Sequence, residues 1–313
     1  MSDIMSGLDD FVQPFQVESR SAQGRLVKIG PALDAVLSAH NYPSIVAGLL
    51  SEIVVVGAML SGTLKKAGVL SIQIRGGAAI NLLVVDVTHD GGIRGYARFD
   101  ETKIKSLNSD RYVADKPIVP VLFPNGKLTL TLTEEGKKSP YQGVVPLEGK
   151  TIGDCIAAYF SRSVQSEAVF KIGVDNSDLG WRAGGLMIQR LAQKGFQPQS
   201  GDERIIDVNE KWNRAVILMK SCSNTELLSK TLHPHELLYR LFNEDGVRVF
   251  HPETLHMKCR CSQEKVKNVL SNFPHSEIKK MKNGRFVMVT CEFCNCEYKF
   301  LLDDIIKIDN NTY

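Results

Sequence analysis

The sequence predicts an α+β fold: an N-terminal mixed domain with a largely antiparallel sheet and buried helices, a helical linker, and a small C-terminal metal-binding domain. Three observations predict it. Short apolar–polar alternations, separated by turns that carry Gly, run through the first half. The stretch from Ile45 to Gly62 is almost wholly apolar. Five of the seven cysteines fall between Cys259 and Cys296, most of them in close pairs.

The elements follow in order. Residues 11–30 alternate around Phe15, Val17, Leu26 and Ile29 and read as two strands with a turn at Gln23-Gly24. A short helix is expected near Ala32 to His40, and a second from Pro43 to about Leu64. The second is apolar on nearly every side, which places it in the middle of a core. Strand patterns return at Val69–Arg75, Ile80–Val87 and Ile93–Phe99, separated by Gly76-Gly77 and by His89-Asp90-Gly91-Gly92. Lys127–Thr133, KLTLTLT, alternates strictly, as a half-buried strand requires. Gln142–Pro146 and Ala168–Val174 read as further strands, and Thr151–Arg162 as a helix. Residues 1–196 thus form the core domain.

Gln193–Asp202 lacks periodicity and is rich in turn formers, so a boundary falls there. Beyond it, Val208, Trp212, Val216 and Met219 keep helical spacing, and Pro234 opens a second helix through Phe242. Residues 197–257 are therefore read as a helical linker. Such a unit is marginal alone and is expected to borrow stability from its neighbours. Residues 258–302 hold the cysteine cluster, and 303–313 form a tail.

Composition bounds the function. A net charge of +3 gives no reason to expect a large nucleic-acid footprint. The N-terminus, MSDIMSGLDDF, has early acids and no apolar core of a signal peptide. Ile45–Gly62 contains Glu52 and several Gly and Ser without flanking anchors, and reads as a buried helix rather than a membrane span. A soluble, cytoplasmic chain is expected, and in that setting a cysteine cluster points to metal or redox chemistry rather than to a disulfide framework.

Cys259 and Cys261 form C-x-C; after an intervening loop, residues 262–290, Cys291 and Cys294 form C-x-x-C. Four thiolates on two chelating arms suit one tetrahedral zinc ion. The loop between has room for a helix, Glu264–Asn272, and a hairpin through Asn283-Gly284. A module of about 45 residues is too small for a sufficient core. Its folding should depend on metal, with an apparent binding free energy of roughly 10–16 kcal/mol, as in zinc-finger peptides. Neighbouring thiols are also candidates for a reversible redox switch, because zinc holds them as the thiolates that oxidants attack. Cys296 makes a second C-x-C with Cys294 and stands either as a spare thiol, the simpler reading, or as a competing or resolving one. Cys155, on the apolar side of a helix, and Cys222, at a helix end, read as structural.

Taken together these residues resemble the HslO family of redox-regulated heat-shock chaperones over essentially the whole chain. The resemblance is carried by His40-Asn41-Tyr42-Pro43 with the helix Leu49–Leu60, Leu64-Lys65, Arg94-Gly95-Tyr96-Ala97, Tyr141-Gln142-Gly143 with Leu147, and Tyr159-Phe160 before Ser163. It continues through Ala183-Gly184-Gly185, Glu236-Leu237-Leu238-Tyr239-Arg240-Leu241-Phe242, Cys259-Arg260-Cys261-Ser262 and Cys291-Glu292-Phe293-Cys294. It implies an ATP-independent holding chaperone that is inactive while reduced, with one zinc per chain on Cys259, Cys261, Cys291 and Cys294. Oxidation would then form Cys259–Cys261 and Cys291–Cys294 disulfides, release zinc, unfold the linker and produce a homodimer that holds unfolding client proteins. Two departures stand out: the run Ser163-Val164-Gln165-Ser166-Glu167 differs from the family's usual Ser-Glu-Gln cluster, and Cys296 is an added thiol.

Other classes fit less well. Residues 251–301 carry nine Lys/Arg and five Asp/Glu, and a zinc tetrathiolate adds about −2. The remaining charge is weak for a nucleic-acid module. A thiol oxidoreductase would set Cys291-Glu292-Phe293-Cys294 at a helix start, whereas Tyr298 and Phe300 suggest a following strand. No G-x-x-x-x-G-K-[ST] phosphate loop occurs, and no enzymatic activity is expected.

Overall fold

The computed structural model of the chain describes residues 9–17, 22–62, 64, 67–107, 117–177, 180–191 and 203–306, with backbone alone at 203–206, 208, 282, 304 and 306. The chain divides into two compact units between Met257 and Lys258. The turn-rich stretch 193–202, expected to end the core domain, lies outside the described residues, as do residues 307–313 of the tail.

The first unit opens with β1 (Phe11–Val17), β2 (Ala22–Ile29), α1 (Pro31–Leu37) and α2 (Ser44–Ser61). It continues with β3 (Val69–Arg75), β4 (Ile80–Thr88), β5 (Gly92–Phe99), α3 (Glu101–Ser106) and α4 (Val119–Leu122). Then come β6 (Lys127–Thr133), β7 (Tyr141–Pro146), α5 (Ile152–Tyr159), β8 (Ala168–Ser177) and β9 (Gly180–Arg190). The segment expected as a linker belongs to this same unit and supplies α6 (Glu203–Lys220), α7 (Asn224–Leu227), α8 (Pro234–Phe242), β10 (Val247–Val249), β11 (Glu253–Thr254) and β12 (His256–Met257). One sheet has the order β10-β1-β2-β9-β8, with β11 also on β1; the other runs β12-β5-β4-β3-β6-β7. Every strand pair in these sheets is antiparallel except β12 on β5.

Helix α2 shows why the long apolar run is apolar all round. Every residue from Ile45 to Ser61 is buried, because the helix lies between the two sheets. On one side it meets β9 so closely that a Cβ on Gly185 would fall 2.0 Å from Met59 Cε. On the other, a Cβ on its own Gly57 would fall 2.8 Å from Val87 Cγ2 of β4. Among the described residues it is the one helix long and apolar enough to cross a membrane, and here it is the central element of the core.

The expected turn at Gln23-Gly24 is wrong. Gln23 and Gly24 lie inside β2, with Gly24 opposite Phe15. A Cβ there would fall 2.2 Å from Phe15 Cζ and 2.6 Å from the Met187 carbonyl, so this glycine answers to close approach and not to a turn. The helix expected over Thr151–Arg162 begins with a Thr151–Asp154 capping box, but its end loosens into a π-helical turn, Phe160–Val164. Gln165, in the left-handed region at φ 54°, ends that turn, so the divergent run 163–167 lies at this irregularity.

The first sheet has two apolar faces. Val12, Val27, Ile29, Ala183 and Met187 belong to the core around α2. The opposite face, with Phe15, Val17, Ala22, Leu26, Leu186 and Ile188, is covered by the linker. Trp212 and Met219 of α6, Leu227 of α7, and Leu237, Leu241 and Phe242 of α8 form that cover. After α8 the linker turns from helix to strand: Val247–Val249 pair with Phe15–Val17, and the Phe250 N–H donates to the Pro14 carbonyl at 3.0 Å. These strands escape the sequence reading because they are two or three residues long and exist only through their partners.

Candidate metal centre

The second unit contains α9 (Gln263–Ser271), α10 (His275–Lys280), β13 (Lys282–Asn283), β14 (Phe286–Thr290), β15 (Glu297–Leu301) and α11 (Leu302–Ile306). Helix α9 starts at an N-cap, Ser262, whose hydroxyl accepts from the Lys265 N–H at 3.2 Å; Cys259 and Cys261 lie immediately before it. Strands β13 and β14 form the expected hairpin, with Gly284 at φ 63° in its turn. Cys291 and Cys294 occupy the next turn, between β14 and β15. That turn is closed by the Cys291 N–H to the Cys296 carbonyl and the Asn295 N–H to the Cys291 carbonyl, both at 2.9 Å. Asn295 takes the left-handed conformation at φ 59° that lets the chain double back. The C-x-x-C therefore sits in a strand-to-strand turn and not at a helix start.

Among the described residues the apolar core of this unit is small: Leu270, Ile278, Val287, Phe300 and Ile305 are its buried members. The two arms bring the Sγ atoms of Cys259, Cys261, Cys291 and Cys294 within 4.8 Å of one another. Cys259 Sγ lies 3.7 Å from Cys291 Sγ, and Cys261 Sγ 3.5 Å from Cys294 Sγ. A disulfide would need about 2.05 Å, and all four are free thiols. A tetrahedral site with metal–sulfur bonds of about 2.3 Å has sulfur–sulfur edges of about 3.8 Å. The donor set and its spacing therefore fit one four-coordinate metal ion.

The thiols are not equivalent. Burial pushes Cys259 up, but the Cys261 backbone N–H and the thiols of Cys261, Cys294 and Cys291 outweigh it and bring Cys259 down to about 7. Burial raises Cys261 and Cys294. A metal ion binds thiolates, so its binding would release the protons that the cluster still holds. The Tyr298 hydroxyl on β15 donates to Cys261 Sγ at 3.0 Å, and that bond raises the phenol above its ordinary value. Reading the sequence finds Tyr298 only as a strand residue. Its role depends on β15 running back beside the first arm, which no local spacing announces.

The other cysteines stand apart. Cys296 is exposed and outside the four-sulfur cluster. Cys155 and Cys222 are buried, and burial pushes them up to about 12 and about 11. Both are poor thiolates, in keeping with structural packing.

The family model described as Hsp33 protein matches residues 10–301. The 33 kDa chaperonin of Caulobacter vibrioides is 36% identical over 298 residues, covering 93% of this chain and 95% of that protein. The 33 kDa chaperonin of Azotobacter vinelandii is 33% identical over 301 residues, covering 96% and 94%. The crystal structure of the 33 kDa chaperonin, a heat shock protein 33 homolog, from Thermotoga maritima matches with a TM-score of 0.77, covering 96% of this chain and 99% of that one. At 21% identity that likeness speaks to the fold alone. A family match across both units, joined to relatives 36% and 33% identical over nearly their full length, leads to one conclusion: the chain belongs to the Hsp33 family.

Proposed function

We propose that this chain, a member of a chaperone family, is a redox-regulated, ATP-independent holding chaperone of the cytoplasm. Its reduced form carries one zinc on Cys259, Cys261, Cys291 and Cys294 and is inactive. Its partners are unfolding client proteins and, after oxidation, a second copy of itself; neither nucleic acid nor membrane is a partner. The observation that carries the reading is the convergence of four thiols from two short arms in a unit with, among its described residues, five buried apolar side chains. Such a unit leans on its metal for stability.

Zinc would hold the thiols as thiolates and close the two arms around itself. An oxidant of the peroxide class, such as hydrogen peroxide, takes two electrons from each thiolate pair and two protons from solvent, so that one disulfide forms and the peroxide leaves as two waters. Two disulfides, Cys259–Cys261 and Cys291–Cys294, consume two peroxides and leave no thiolate for zinc. Cys259 follows β12 after a single residue. Loss of the metal-held fold would thus free the chain just downstream of the linker's last strand. The linker covers the apolar face of the first sheet, and its release exposes that face to unfolding chains.

Zinc release titrated against hydrogen peroxide under mild unfolding stress, alongside suppression of citrate synthase aggregation, tests the proposal. The two curves should rise together. Full holding activity of the unsubstituted protein, reduced and with stoichiometric zinc, would overturn it.

A further inference from the structure

The sheet face beneath the linker is not apolar throughout. Strand alternation puts Gln13, Ala22, Leu26, Lys28, Leu186 and Ile188 on it. Leu26, Leu186 and Ile188 make the apolar body. Gln13, Lys28 and Arg182 gather at one end: Lys28 is opposite Phe11 and Gly184, and Arg182 precedes the Ala183–Ile29 pair. All three are buried.

What they bind is unusual for buried donors. Lys28 Nζ donates to the Ser229 carbonyl at 2.9 Å and the Leu232 carbonyl at 2.7 Å. Arg182 Nε donates to the Leu228 carbonyl at 3.2 Å, while its two terminal nitrogens pair with Asp9. Gln13 Nε2 donates to the Phe250 carbonyl at 2.6 Å. Among the described residues no carboxylate hydrogen-bonds Lys28. A buried cation is costly unless it is well partnered, and here its partners are two neutral main-chain carbonyls. Three of the four linker carbonyls lie in the turn between α7 and α8. Main-chain carbonyls carry no sequence information, so whatever reads them reads any chain.

We propose that Lys28, Arg182 and Gln13 form a sequence-independent carbonyl-binding end of this face, which the linker occupies as a stand-in ligand and which holds turn and helix-end carbonyls of unfolding clients once the linker leaves. The ligand class is an apolar segment followed by a turn with free carbonyls, the pattern of Leu227 to Leu232. Apolar side chains enter beside Leu26 and Leu186; the carbonyls that follow meet Lys28. Selection by carbonyl suits a holding protein, since every half-unfolded helix end offers unpaired carbonyls. The inference rests on the proposed release of the linker.

A synthetic peptide of residues 223–243 is the probe, titrated into the full-length oxidised protein. A second peptide carries an ester in place of the Ser229–Lys230 amide, which weakens the Ser229 carbonyl as an acceptor. The ester should cost about 3–10-fold in affinity against the native protein, the effect of weakening one charge-assisted bond. Against Lys28→Met it should cost under about 1.5-fold, and Lys28→Gln, which keeps an amide donor, should fall between. Hydrogen exchange across β2 and β9 checks that each variant keeps its sheet. An equal ester cost in native and Lys28→Met proteins overturns the inference and leaves the holding function standing. So does a peptide that fails to bind oxidised protein which still protects citrate synthase. Unchanged exchange at 229–232 on oxidation, with no protection of citrate synthase, overturns the proposed function and this inference with it.

Discussion

Truncating Phe242 should make the chain hold clients without oxidant. Phe242 is fully buried at the end of α8 and stacks on Phe15 of β1, with ring centroids 5.6 Å apart and planes 28° apart. Removing a buried phenyl group costs about 3–5 kcal/mol. Phe15 belongs to the sheet and Phe242 to the linker, so the lost contact is one that docks the linker. At about 1.4 kcal/mol per tenfold, the undocked population should rise about 140- to 4,000-fold. A whole domain has about 5–15 kcal/mol in total, and a linker of about 60 residues has a smaller share. The assay is hydrogen exchange over residues 207–242 of reduced Phe242→Ala with its zinc content measured, together with citrate synthase protection in the same buffer. Protection of the amides should collapse and holding should appear with zinc still bound, while Lys127–Thr133 stays protected. Native-like protection across 207–242, with no holding activity, would refute the reasoning that docking of the linker is what keeps the protein off.

Two further outcomes concern the thiols. Cys296→Ser should retain near-stoichiometric zinc and Cys294→Ser should lose most of it, as read by metal analysis of reduced protein; equal losses would make Cys296 a ligand. In reduced protein pulsed with iodoacetamide immediately after chelation, before the unit loses its fold, Cys259 should alkylate with a midpoint near pH 7, ahead of Cys261 and Cys294, as followed by mass spectrometry of the adducts. The sign is that of a depressed acid: its folded value of about 7 lies below the ordinary 9.0. The stabilisation from its thiolate is thus complete above pH 9 and is lost as pH falls from 9 through 7. Simultaneous alkylation of all three would contradict the unequal environments.

Much of the fold is legible in the sequence where one element's pattern answers to one environment. Lys127–Thr133 and Val69–Arg75 carry strand bounds matching their alternation. Helix α2 is apolar all round because it touches a sheet on both sides. The failures share a cause. Gly24 reads as a turn, and Gly180–Arg190 gives no strand pattern because Gly184-Gly185 interrupts it. Yet these glycines are small because other groups press against them: Phe15 on Gly24, Met59 and Val55 on Gly185. Close approach in three dimensions looks like punctuation in one. The cysteine arms are legible because chelation needs two donors a residue or two apart on the same stretch of chain. Tyr298 and Lys28 are not, since Tyr298 acts on a cysteine 37 residues away and Lys28 on carbonyls 201 and 204 residues away.

The pairing of the linker's last strands with β1 carries a cost that the chain has answered in one residue. Were β10 and β11 to leave, as the proposed release of the linker requires, β1 would become a bare sheet edge, the kind of surface on which chains stack into fibres. The Pro14 carbonyl faces that edge, where it now accepts from Phe250. Its backbone nitrogen faces the same way and has no hydrogen to give. An incoming strand meets a ladder with a missing rung between Val12 and Gln16. A chain that opened this edge among aggregation-prone clients would thus resist being the seed that they grow on.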